Sequence, residues 1–103
     1  MKYLAIDYGQ KRTGIAVSDD RGQHWPFPPQ TILMRTRAAF FEELLALIEA
    51  EATDAIVIGL PINLDGEKAS RPGQVRNFSK SLARRTTLPL FWMEEASAAT
   101  EAE

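Results

Sequence analysis

Ala55-Ile56-Val57-Ile58-Gly59-Leu60 is an unbroken apolar run. A strand with one wet face alternates apolar and polar residues, and an amphipathic helix interrupts its apolar stripe every few positions. This run does neither, which predicts a strand covered on both faces and therefore paired in parallel. Parallel pairing requires crossover connections, and both flanks carry helical patterns. Before the run, Thr36 can cap a helix to about Ala52 with Phe41, Leu44, Leu45 and Ile48 on one face. After it, Ser70 with Pro72 announces a helix to about Arg85, whose core stripe is Val75, Phe78 and Leu82.

Lys2 to Asp7 reads as a further strand, closed by Gly9, and Thr13 to Ser18 as another. The short gap between them predicts a hairpin. Asp19-Asp20-Arg21-Gly22 supplies a turn. Pro26, Pro28 and Pro29 rule out a central strand in the stretch that follows, and a short edge strand is expected at Gln30 to Met34. Leu88 to Met93 is the last strand, with Pro89 suggesting an edge. Ala96 to Glu103 is helix-prone. The order βββαβαβ(α) defines an α/β fold, a mixed sheet that opens as a three-stranded antiparallel meander and continues by parallel crossovers.

The chain has 103 residues, of which 45% are hydrophobic, enough for one core and one domain over residues 1–103. Cysteine is absent, which excludes a disulfide framework, a thiolate metal site and a cysteine nucleophile. The apolar run falls far short of the roughly 18 residues of a membrane span. Met1 leads straight into Lys2-Tyr3-Leu4-Ala5-Ile6-Asp7, without a signal-peptide pattern. A soluble, cytoplasmic domain with no membrane partner is expected. The net charge of −2 hides an asymmetry. Lys68, Arg71, Arg76, Lys80, Arg84 and Arg85 lie between Glu67 and Glu94 with no acid among them. Arg76, Lys80 and Arg84 form an i, i+4, i+8 row almost opposite the core stripe. Such a row reads either as a phosphate-tracking surface or as a solvated face.

Asp7 ends an apolar strand and precedes Tyr8-Gly9-Gln10-Lys11-Arg12-Thr13-Gly14. A carboxylate at a strand end, among glycines that allow close approach, can hold a divalent cation or face a phosphate. It can equally be a turn aspartate accepting backbone N–H bonds. Pro61-Ile62-Asn63-Leu64-Asp65-Gly66 follows the buried run. If the Lys2–Asp7 and Ala55–Gly59 strands are parallel neighbours, this loop and Asp7 share the ligand-binding edge of the sheet. As spacing alone, the loop is ordinary turn chemistry. Glu94 and Glu95 should reach the same edge, and their neighbouring positions alternate between sheet faces. Acids at a helix start are the other reading. His24 is the sole histidine, in a proline-rich loop, and reads as a surface or packing residue. The chemistry available is carboxylates with a hard metal.

Asp7-Tyr8-Gly9-Gln10-Lys11-Arg12-Thr13-Gly14-Ile15-Ala16-Val17-Ser18-Asp19 resembles the opening block of the YqgF/RuvX family. Gly59-Leu60-Pro61-Ile62-Asn63-Leu64-Asp65-Gly66 resembles its second block, and Val75-Arg76-x-Phe78 the start of its next helix. The resemblance implies an RNase H-like fold similar to RuvC resolvases. It further implies a nuclease that matures the 5′ end of pre-16S rRNA, or a Holliday junction resolvase. The family's acidic residues lie on the first strand, after the last parallel strand and in a C-terminal helix. The first maps to Asp7, the second to Glu95 with Glu94 preceding it, and the third has no counterpart here. Ala96, Ala98 and Ala99 stand where the family has an arginine and two threonines.

The resemblance therefore assigns catalysis to Asp7 and Glu95. It assigns a two-metal site for Mg²⁺ or Mn²⁺ to Asp7, Glu95 and Glu94. Lys11, Arg12, Asn63, Arg76, Lys80 and Arg84 are the candidate nucleic-acid-binding residues, on a structured RNA or branched DNA. A resolvase would require a homodimer. The alternative classes are a nucleic-acid-binding module without catalysis, motivated by the alanines, and an ATP-binding protein, suggested by Asp-x-Gly after a strand. The latter needs two such domains. Two expectations attach to the end of the sequence. Apolar side chains such as Leu90 or Trp92 should lack cover, and nuclease activity of this form alone should be low.

Overall fold

The computed structural model describes residues 1–24, 30–61 and 71–95. The elements are β1 (Tyr3–Asp7), β2 (Arg12–Val17), β3 (Gln30–Leu33), α1 (Arg37–Ala50), β4 (Ala55–Pro61), α2 (Arg71–Ala83) and β5 (Leu90–Glu95). They form one five-stranded sheet in the order β3-β2-β1-β4-β5. The first three strands are an antiparallel meander, and β4 and β5 are added in parallel. The apolar run is thus an interior strand, and β3 and β5 are edges.

Register explains which residues meet. Leu4 pairs with Ile56 and Ile6 with Ile58, while Ile6 also pairs with Ile15 across the hairpin. Paired residues share a sheet face, so these side chains form one apolar surface, onto which α1 and α2 pack. From α1 come Phe40, Phe41, Leu44 and Ile48, and from α2 Val75, Phe78 and Leu82. Each such fully buried aliphatic or aromatic side chain contributes about 1.5–3 kcal/mol. Thr36 caps α1 as expected, its Oγ1 accepting from the Ala39 N–H at 3.0 Å. Phe40, which lies outside the anticipated stripe, is 1% exposed and central.

Most boundaries differ from the sequence reading by one or two residues, and three of the differences matter here. The second strand runs from Arg12 to Val17, because Arg12 already pairs with Leu33 of β3. The helix α2 stops at Ala83, so Arg84 and Arg85 stand in the turn after it. The last strand starts at Leu90, after Pro89. Leu90 also fails the expectation of an uncovered side chain. It pairs with buried Ile56 and packs against the core. Trp92 meets that expectation at 47% exposure, together with Phe91 and Met93. The proline-rich stretch 25–29, the loop from Ile62 to the Ser70 cap, and Ala96 to Glu103 lie outside the described residues.

Candidate active site and nucleic-acid interface

The C-terminal end of β1 is held in place by its own turn. A side chain on Gly9 would put its Cβ 2.2 Å from the Arg12 carbonyl oxygen, so only glycine lets the turn close this tightly. The Gly9 N–H donates to buried Thr13 Oγ1 at 3.4 Å, and the Met34 N–H donates to the Lys11 carbonyl at 2.9 Å. The turn is thereby tied to the end of β3. Asp7 stands exposed at this edge, opposite Gly14 of β2. A Cβ at Gly14 would lie 3.8 Å from that of Asp7, so glycine here leaves one flank of the carboxylate open.

Tyr8 turns the other way. Its ring lies 4.4 Å from that of Phe78 at 13° and 6.0 Å from that of Phe40 at 70°. The residue after Asp7 is therefore fixed in the core beneath both helices. Its aromatic character within the opening motif was the available signal, but sequence does not reveal which face such a turn residue takes.

Gly59 pairs with Met93, Leu60 with Glu94 and Pro61 with Glu95. Continuing the β1–β4 register by one residue places Asp7 beside Gly59. Met93 and Glu95 therefore occupy backbone positions of the same parity as Asp7, and Glu94 the opposite parity, that of Ile6, Ile58 and Trp92. All three acids belong to the same edge of the sheet, the C-terminal ends of parallel strands. Around Asp7, the face away from the helices is built of small residues, Ala5, Gly14, Ala16, Val57 and Gly59.

Among the described residues no group of three or more acidic, histidine or cysteine side chains is arranged to hold a metal. Asp7 supplies an exposed oxygen donor at an open strand end, the donor chemistry that hard divalent cations take. Lys11 in the same turn and Arg12 at the start of β2 are exposed. Asn63 lies outside the described residues. Arg76, Lys80 and Arg84 are exposed, and the one ion pair among the described residues is Lys2–Glu51 at 3.3 Å. This row projects from the helix layer, whereas Asp7 has the parity of the opposite face. The structure does not gather them into one site. His24 is exposed, a surface residue.

Among the described residues, Asp19 is the one carboxylate with a clear electrostatic signature. Its Oδ1 accepts the backbone N–H groups of Gln23, His24 and Arg21 at 2.9, 3.2 and 3.2 Å. The bond from Gln23 is the main cause that holds its pKa below the ordinary value, desolvation opposing it. This is turn chemistry, not catalysis.

A mixed sheet with an antiparallel meander followed by parallel strands, and an acid at the end of the central first strand, is an RNase H-like architecture. Solved structures agree. The RuvC of T. thermophilus in complex with Holliday junction substrate matches with TM-score 0.67 and 13% identity, over 91% of this chain and 63% of that one. A ROK hexokinase from Thermus thermophilus matches with TM-score 0.57 and 21% identity, over 96% of this chain and 35% of the other. At such identities the likeness concerns fold alone. Residues 1–103 match the family described as "RuvX: Holliday junction resolvase". A relative from Nitratidesulfovibrio vulgaris (strain DP4), named "Putative pre-16S rRNA nuclease", is 54% identical over all of this chain and 72% of its own length. One of the same name from Lawsonia intracellularis is 48% identical, again over all of this chain and 72% of the relative. The chain belongs to the RuvX family. It spans somewhat under two thirds of the RuvC chain it resembles.

Proposed function

We propose that this protein is a metal-dependent nuclease of structured nucleic acid that processes the 5′ end of pre-16S rRNA in the cytoplasm. The observation that carries this reading is the placement of Asp7. It is an exposed carboxylate at the C-terminal end of the central strand β1, in a chain of the RuvX family. Among the described residues no helix is long and apolar enough to cross a membrane.

Asp7 and Glu95 are the proposed catalytic pair, and Asp7, Glu95 and Glu94 the proposed ligands of Mg²⁺ or Mn²⁺. Bound there, two such ions would activate a water and stabilise the leaving oxygen of a phosphodiester. The chain's own contribution is positional. The Gly9 turn and the Tyr8 anchor fix the backbone that carries Asp7, and Gly14 keeps space beside it. Lys11 and Arg12 orient a backbone phosphate by charge-assisted hydrogen bonds. Asn63, Arg76, Lys80 and Arg84 are proposed to extend this contact along the nucleic acid.

The test is cleavage of a pre-16S rRNA 5′ precursor in Mn²⁺, compared with Asp7→Asn. Cleavage that persists in Asp7→Asn rejects the mechanism. A second reading, resolution of Holliday junctions, rests on the family's own description. It predicts symmetric nicking of a four-way DNA junction by a homodimer, and junction cleavage without precursor cleavage would replace the first reading with it. Nucleic-acid binding with no turnover in Mn²⁺ would leave a binding module.

A further inference from the structure

Arg37 and Arg85 converge on the same two residues. The guanidinium carbon of Arg37 lies 5.3 Å from the centroid of the Phe41 ring, and that of Arg85 lies 4.2 Å from it. Arg37 Nη2 donates to Ser81 Oγ at 2.6 Å, and Arg85 Nη1 donates to the Ser81 carbonyl at 2.8 Å. Phe41 and Ser81 are both buried, so the two guanidinium groups are held by rigid partners. Among the described residues neither meets a carboxylate at ion-pair distance. A guanidinium has five N–H donors, and each described bond uses one, which leaves most of both forks available.

A structural role accounts for half of this arrangement. Arg85 follows α2 and satisfies one of its last carbonyls, where the helix dipole favours a cation. The same dipole argument runs against Arg37. It is the first residue of α1, the positive end of that helix, and the first turn contains no acid. Two guanidiniums and a helix N-terminus thus meet at one spot, offset there by the C-terminal end of α2 but, among the described residues, by no carboxylate at ion-pair distance. An oxyanion with several acceptor oxygens would complete it, since planar guanidinium forks match phosphate geometry.

Arg37 opens α1 at the same edge of the sheet as Asp7, since β3 runs in the direction of β1, and Arg85 reaches the Phe41 ring from the end of α2. Phe40, one turn into α1, touches Tyr8, and Met34, just before α1, is bonded to Lys11 of the Asp7 turn. The stack Tyr8–Phe78–Phe41 runs from the residue after Asp7 to the ring beneath both arginines, with centroid spacings of 4.4 and 5.8 Å.

We propose that Arg37 and Arg85 form a clamp for one backbone phosphate of a bound nucleic-acid strand, at the start of α1. The clamp rests on the nucleic-acid reading above. It reads a phosphodiester and not a base or a 2′-hydroxyl, so RNA and DNA should engage it alike. Binding of a 5′-labelled RNA hairpin with a single-stranded extension, and of its DNA equivalent, is to be measured in EDTA across a salt series. The double variant Arg37→Gln/Arg85→Gln should bind both about tenfold more weakly. Its log–log salt slope should fall by about 0.7, the value for one single-strand phosphate. Arg37→Lys/Arg85→Lys should recover the slope but not all the affinity, because lysine lacks the fork.

Unchanged affinity and slope in a folded Gln variant, with only its melting temperature lowered, would reduce the pair to a cap of α2 and overturn the clamp. Loss on RNA but not DNA, or the reverse, would also overturn it. If the double variant fails to fold, protection of Arg37 and Arg85 in the wild type from an arginine-selective dicarbonyl decides instead. Protection by the bound oligonucleotide supports the clamp, and its absence rejects it. A wild type that binds neither oligonucleotide overturns the clamp and the proposed function together. Binding with the expected variant effects but no cleavage in Mn²⁺ supports the clamp and removes only the nuclease reading.

Discussion

The ring of Tyr8 lies almost parallel to that of Phe78, 4.4 Å away at 13°, which fastens the residue following Asp7 to the middle of α2. Aromatic pairs of this kind couple by about 0.5–1.5 kcal/mol beyond the area they bury. A double-mutant cycle on Tyr8→Ala and Phe78→Ala, followed by urea unfolding, should return a coupling in that range. Phe78→Ala, which empties a buried site, should by itself cost about 3–5 kcal/mol. Single mutants that add without coupling would show that the stack does not anchor the Asp7 turn.

The two glycines flanking this turn should respond differently. Gly9→Ala drives a Cβ to 2.2 Å from the Arg12 carbonyl oxygen. The turn must open, at a cost of about 1–3 kcal/mol, in the range of overpacking and backbone strain. It should also displace Asp7 and depress cleavage severely. Gly14→Ala meets only the Asp7 Cβ, at an ordinary 3.8 Å, and its stability should stay within about 1 kcal/mol of wild type. Equal effects of the two substitutions on the unfolding midpoint would contradict this account.

Much of the architecture could be read before the structure. Ala55–Leu60 announced an interior parallel strand because nothing polar interrupts it, and β4 has parallel partners on both sides. Val75, Phe78 and Leu82 announced the buried stripe of α2 because helical spacing admits no other common face. Phe40 escaped that logic. It neighbours Phe41, and two adjacent aromatics exceed a narrow stripe, so only the packing of α1 against Tyr8 and Phe78 shows that both are inside. Leu90 escaped it for a similar reason, since its cover depends on register with Ile56. Asp7 was legible as a strand-end acid. The meeting of Arg37 with Arg85 was not, because it joins the start of α1 to the turn after α2 through a tertiary contact with Ser81.

Acid should loosen the turn after β2. Asp19 is held below its ordinary pKa chiefly by the Gln23 N–H, so its folded value is depressed relative to the unfolded chain. Its stabilising contribution is therefore complete above the unfolded value, about 3.9, and is lost as pH falls through the lower folded value. In Asp19→Asn the acid limb of the stability–pH profile should become shallower below about pH 4. An identical limb in both proteins would show that the Asp19 bonds do not persist in solution.

The row Arg76, Lys80 and Arg84 offers the clearest separation of binding from chemistry. These residues are exposed on and just after α2, whose buried face covers the side of the sheet opposite in parity to Asp7. Nucleic acid engaged by both must bend around the sheet edge, and the row can touch it only at a distance from the reacting phosphate. An interaction made equally in ground state and transition state changes KM and leaves kcat alone. Reversing all three residues to Glu should therefore weaken binding and flatten the salt dependence, by about 0.9 in log–log slope for each duplex-DNA phosphate that the row no longer neutralises. At saturating substrate kcat should stay near the wild-type value. Asp7→Asn should behave in the opposite way, keeping affinity and losing kcat. If the reversed row also lowers kcat at saturation, the row lies closer to the reacting phosphate than its place on the helix layer implies. If the salt slope does not move, it is a solvated face only.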